Sequence, residues 1–161
     1  MRHVTQPLTQ SGFAGFGDVI EHRGDARRHR LSIDFDTGRD LRQEFWVSRV
    51  STKFELPNII AQLERHPLSD QAFVPLLGGQ FLVVVCGTRQ DGSPDVDNCR
   101  AFVAGPGQGI VYRRNTWHAP LSSLNAPAEF FVTMGITDNA ENDEFFDLPV
   151  PLGISMEGAK T

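Results

Sequence analysis

The chain has 161 residues and a formal charge of −5, from 15 Lys and Arg against 20 Asp and Glu. Its 40% hydrophobic content suffices for one core, so a single domain over residues 1–161 is expected. The mild acidity excludes bulk binding to nucleic acid or an anionic membrane, and no apolar run is long enough to span a bilayer. The N-terminal residues lack the apolar stretch of a secretion signal, so a cytoplasmic location is expected. In chain order, Thr9–Phe16 reads as a short helix capped by Thr9 or Ser11, with Gly12 and Gly15 limiting it. Strand signals follow at Leu31–Asp34, Glu44–Val50, Gln71–Leu76, Phe81–Gly87, Arg100–Ala104, Gly109–Tyr112 and Glu129–Met134. Turn residues separate them, among them Gly78-Gly79, Gly105-Pro-Gly107 and Asn125-Ala-Pro127. A turn of helix is expected near Ser93–Asn98, and the acidic stretch from Asp138 reads as an extended arm packing on the barrel or across a partner. Strands without long helical patterns indicate a mostly β fold, an antiparallel sandwich or barrel with few short helices. Phe73, Phe81, Phe102, Phe130 and Phe131 are its expected core.

Cys86 and Cys99 form no CxxC pair, and neither has a base beside it. Cys86 ends the run Phe81–Cys86 and reads as a small hydrophobe. Of the 15 cations 13 are Arg, the better bidentate partner of carboxylates, although a general Arg bias accounts for most of them. His3, His22 and His29 lie in polar stretches and read as solvated.

Two segments hold the chemistry. In Leu63-Glu-Arg-His-Pro67, Glu64 and His66 leave one face of an extended chain while Arg65 leaves the other, and Gln71 follows a short turn. In Gly107-Gln-Gly-Ile-Val-Tyr112-Arg-Arg-Asn-Thr-Trp-His118, the histidine follows a turn at Asn115, a residue that tolerates the left-handed region. Glu64, His66, Gln71 and His118 together make a mixed N/O set suited to a borderline divalent ion such as Ni, Zn, Fe or Mn. The structural alternatives are a loop-orienting His66, a Glu64 paired with arginine, and Tyr112 and Trp117 as packing residues. Arg113 and Arg114 are adjacent, so on a strand only one of them faces inward.

These spacings resemble the two cupin motifs, with Glu64-x-His66, Gln71 and Gly78 in the first, and Gly107, Asn115 and His118 in the second. Gln62-Leu-Glu-Arg-His-Pro-Leu68 through Val74-Pro75, Gly107–Tyr112, and Arg114-Asn with Trp117-His118 are similar to the ureidoglycolate lyase family. Phe16-Gly-Asp-Val-Ile-Glu21 and Arg100-Ala-Phe102 extend the likeness over most of the chain. The chain departs from that family at Arg113 and Ala119, where histidines are usual, and at Thr133-Met134-Gly135, where Asp-Arg-Gly is usual. The resemblance implies a cupin-like β-barrel, a homodimer, and cleavage of ureidoglycolate to glyoxylate and urea in allantoin and purine catabolism. A divalent metal, Ni or Zn foremost, would sit on Glu64, His66, Gln71 and His118. Glu64 replaces a cupin His and Gln71 its Glu, so the ion is expected to be held more weakly or to be absent. The same His pair and Glu64 would carry catalysis. Glu64 would serve as general base and Tyr112 would protonate the leaving nitrogen. Arg113 or Arg114 would clamp the substrate carboxylate, Gln71 would also meet substrate, and Arg49 is a further candidate. Rival readings are a hydrolase releasing ammonia, a non-catalytic cupin binding a small carboxylate, and a related enzyme acting on another hydroxy acid.

Overall fold

The apolar run Phe81–Cys86 forms a strand whose six residues are all buried, because a sheet neighbour lies on each edge and a core on each face. The computed structural model describes residues 2–138 and 141–156, and it builds the fold around that strand. The strands are β1 (Arg2–Val4), β2 (Gln6–Pro7), β3 (Gly17–Ile20), β4 (Arg42–Val50), β5 (Asn58–Arg65), β6 (Gln71–Leu77) and β7 (Phe81–Cys86). They continue as β8 (Arg100–Ala104), β9 (Gly109–Tyr112), β10 (Trp117–His118), β11 (Ser122–Ser123), β12 (Ala128–Ile136) and β13 (Glu144–Ser155). One sheet runs β1-β13-β5-β10-β7-β8-β2, with β11 also on β7; the other runs β3-β9-β6-β12-β4.

The sheets face each other across Phe73, Phe81, Val83, Val85, Phe102, Ile110, Phe130 and Val132, which fill the barrel. Alternate residues of β7 point the other way, and Leu82, Val84 and Cys86 join Leu63, Trp117, Leu152 and Ile154 in a second core. The mostly β, nearly closed barrel expected from the strand pattern is the observed fold. Its pairing is antiparallel except at the N-terminus, where β1 runs parallel to β13 and β2 parallel to β8.

The helix α1 (Gln10–Phe13) begins at Thr9, whose side chain accepts from the Gly12 amide at 3.1 Å, and a 3-10 turn occupies Val96–Asn98. Two expectations need correction. Leu31–Asp34 is not a strand: Ile33 and Phe35 alternate as half-buried positions, but the segment joins no ladder. It is held instead through Asp70, whose amide donates to the Asp36 carbonyl and whose carboxylate accepts from the Asp36 amide. Phe131 turns outward beside Phe130, as strand alternation requires. The acidic arm packs back on the barrel, one of the two placements expected of it, as the twelve-residue β13 paired with β5; residues 139 and 140 of that stretch lie outside the described residues.

Candidate active site

β5 carries Glu64 and is followed directly by His66, both on the side of the barrel interior. Their intervening Arg65 goes to the opposite face, where its guanidinium lies 4.5 Å from the centre of the Trp117 ring. β10 lies between β5 and β7, with His118 directly opposite Glu64 on one side and Val85 on the other. This cross-strand register, rather than closeness in sequence, brings the two motif segments together. The turn before β10 is fixed by Asn115, whose φ is 66° and whose amide donates to the His66 carbonyl at 3.0 Å. The left-handed tolerance expected of Asn115 is therefore in use.

One ligand-type atom from each of Glu64, His66 and His118 lies within 4.8 Å of the other two. Gln71 adds a fourth group, its Oε1 standing 3.0 Å from His66 Nε2. The histidine rings are 5.2 Å apart, and Tyr112 stacks on His118 at 4.0 Å with planes 17° apart. Burial pushes the Tyr112 phenol pKa far up, and the Glu64 charge pushes it the same way, so the phenol stays protonated.

The hydrogen bonds settle which ring nitrogens face the centre. A backbone carbonyl only accepts, so His118 Nδ1–H donates to Thr116 O at 2.9 Å and His66 Nδ1–H donates to Asn142 O at 2.8 Å. The Asp143 carboxylate is a second acceptor beside His66 Nδ1, at 2.9 Å. Burial and then the charge of His118 lower the His66 pKa, which favours the neutral ring. Both Nε2 atoms therefore face the centre, that of His66 beside Gln71 Oε1 at 3.0 Å. Among the described residues, His118 Nε2 is buried with no hydrogen-bond partner, 3.4 Å from Glu64 Oε1. Burial raises the Glu64 pKa, but contact with His118 and the charges of both histidines outweigh it and leave the carboxyl below its usual range. Two imidazole nitrogens, a carboxylate and an amide oxygen thus converge, a mixed N/O set that suits a divalent cation. The donor set fits a metal, with Glu64, His66, Gln71 and His118 as its holders.

The three arginines expected at the site lie elsewhere. β9 ends at Tyr112, so Arg113 and Arg114 sit on a turn instead of a strand, and alternation no longer sends one inward. Arg113 bonds the Ala14 carbonyl and approaches Asp18, while Arg114 approaches Asp36. Arg49 is on the outer face of β4, 65% exposed and 3.8 Å from Glu129. Sequence reasoning missed the groups that hold the histidines: Asn142, Asp143, Ser69 and the Thr116 carbonyl. All four stood in segments already singled out, but nothing in their spacing marked them.

Fold and site together define a cupin-like β-barrel with a mixed imidazole, carboxylate and amide centre. Residues 1–152 match the family model described as ureidoglycolate lyase, and the chain belongs to that family. A protein called ureidoglycolate lyase from Mesorhizobium japonicum is 39% identical over 154 residues, covering 89% of this chain and 92% of its own length. A protein of the same name from Rhodobacter capsulatus is 38% identical, covering 94% of this chain and 96% of its own. The Brucella anthropi protein of that name is 39% identical over 89% of this chain and 88% of its own length.

Proposed function

We propose that the chain, as one domain over residues 1–161, cleaves ureidoglycolate to glyoxylate and urea at the Glu64–His66–Gln71–His118 centre. The observation that carries this reading is the orphaned, buried His118 Nε2 facing Glu64 in a barrel of this family. Ureidoglycolate has one carbon bearing a hydroxyl, a carboxylate and a urea nitrogen. Its cleavage removes the hydroxyl proton, turns the freed O–H electron pair into the carbonyl bond, and releases the C–N pair to the nitrogen, which is protonated. Glu64 stays ionised at neutral pH and takes the hydroxyl proton. The same carboxyl returns that proton to the departing urea nitrogen. Tyr112 remains a hydrogen-bond donor, because the raised phenol pKa opposes giving its proton up. His66 and His118 present Nε2, and Gln71 presents its amide oxygen. The chemistry that a divalent ion supplies when bound to such a set is Lewis acidity, which acidifies a hydroxyl and offsets the carboxylate charge. The N/O donors favour Ni or Zn.

Replacing Glu64 or His118 with alanine is expected to lower glyoxylate release at least about 100-fold, within the range that general acid–base groups supply, while circular dichroism stays native. Near-normal turnover in either variant contradicts the assignment. Elemental analysis of protein purified without a metal-binding tag should find about one divalent ion per chain.

The same reading includes a homodimer. Across the outer face of β4, β12 and β6, Val47, Phe131 and Val74 lie directly opposite one another, and so do Arg49, Glu129 and Leu77. Phe45 stacks on Phe131 at 5.8 Å, and Phe45, Val47 and Leu77 are 60%, 56% and 51% exposed. The occupant proposed for this face is a second copy of the chain. The Arg49–Glu129 row carries both charges and is self-complementary about a twofold axis, and β4 is the edge of its sheet. The two unpaired cysteines suit a reducing cytoplasm.

A further inference from the structure

The two histidines are held in different ways. His118 Nδ1 bonds the carbonyl of Thr116, two residues earlier in the same turn, so its orientation is built in locally. His66 Nδ1 bonds the carbonyl of Asn142, 76 residues later in the chain, just before β13. Orientation of His66 therefore depends on whether that distant segment is docked.

What docks it is the Asn142 side chain. The residue is 5% exposed and satisfies its whole amide: Oδ1 accepts from the Leu68 amide at 2.8 Å, and Nδ2 donates to Ser69 Oγ and to the Gly135 carbonyl, both at 2.9 Å. Ser69 closes the set, with Oγ donating to the Gly135 carbonyl at 3.3 Å and accepting from the Gly135 amide at 3.1 Å. These partners lie in the turn that follows His66 and near the end of β12, which itself pairs with β6, the strand carrying Gln71. One buried amide thus ties together the loop after His66, the strand beside Gln71, and the carbonyl that receives the His66 proton.

We propose that Asn142 is a positioning residue for the centre. Its side chain docks the 141–143 segment so that the Asn142 carbonyl, 2.8 Å from Nδ1, holds His66 in the Nδ1–H tautomer and turns Nε2 toward the centre. The competitor that this carbonyl overcomes is Gln71 Oε1, 3.0 Å from Nε2. The proposal rests on the metal reading above only where it concerns affinity; the tautomer is a property of the chain itself. Fixing the far nitrogen of a ligating histidine commonly changes metal affinity by about 10- to 100-fold.

The test uses the full chain with 15N-labelled histidine, above the titration range at about pH 8. Wild-type protein without metal should show His66 with Nδ1 protonated and Nε2 bare. Asn142→Ala should give mixed tautomers at His66 alone, with His118 unchanged, and Zn(II) affinity about 10- to 100-fold lower by chelator competition. Asn142→Asp retains the acceptor for the Leu68 amide but loses both donors. It should fall between the two and keeps the question answerable if the alanine variant does not fold. A lowered melting temperature with the wild-type tautomer and Zn(II) affinity would assign Asn142 a purely structural role and overturn the proposal. The proposal also fails if Asp143→Asn, and not Asn142→Ala, mixes the tautomers. Wild-type protein that binds no Zn(II) yet shows the tautomer change in Asn142→Ala would contradict the metal reading and leave the positioning role in place.

Discussion

At the scale of the residue, a side chain's direction follows from the backbone it stands on. Glu64 and His66 share a face because they are two apart on extended chain, and that was legible from spacing alone. The same argument misleads for Arg113 and Arg114, because the strand ends one residue earlier and Asn115 at φ 66° turns the chain away. Both guanidiniums end near aspartates of the N-terminal half, about half exposed. Exposed ion pairs of this kind contribute about 0–1 kcal/mol. Arg113→Ala and Arg114→Ala should each change unfolding free energy by no more than about 1 kcal/mol and leave KM for ureidoglycolate within about threefold. A rise in KM of tenfold or more with kcat unchanged would restore a carboxylate clamp at that arginine. Asn142 was not legible at all, since its function comes from one side chain joining three elements that only the fold brings together.

At the scale of the element, strands with even alternation or continuous burial were readable, β12 included despite its register shift at Glu129/Phe130, and β5 was not. Arg100–Ala104 and Gly109–Tyr112 match their expected bounds, and β7 differs by one residue. β5 gives no clear strand pattern because Ile60 and Leu63, three apart, both enter the second core. The register shift in its pairing with β13, between Asp147 and Leu152, breaks the period of two. Pro149 and Pro151 fall inside that shift, where a missing backbone donor does the ladder least harm. Leu63 is fully buried directly before Glu64, so it anchors the strand that aims the carboxylate. Leu63→Ala should cost about 2–5 kcal/mol in urea unfolding, the usual range for a buried leucine. A loss below about 1 kcal/mol would mean that the second core does not hold β5.

At the scale of the whole molecule, the N-terminal arm and β13 cover much of the barrel but leave the apolar rows of β4, β12 and β6 in solvent. Contiguous apolar area of this kind marks an interaction surface on soluble proteins. Phe45→Glu should convert a dimer into a monomer in sedimentation velocity while turnover per chain stays within about threefold, because the face lies outside the barrel. A monomeric wild-type protein would contradict the dimer. The central claim concerns chemistry, and its most direct measurement is turnover of ureidoglycolate by the pure, metal-loaded chain, with glyoxylate, urea and ammonia followed together. The account predicts glyoxylate and urea in equal amounts with no ammonia. Ammonia in place of urea would indicate a hydrolase, and no turnover together with thermal stabilisation by glyoxylate would indicate a binding protein; either result contradicts the lyase assignment.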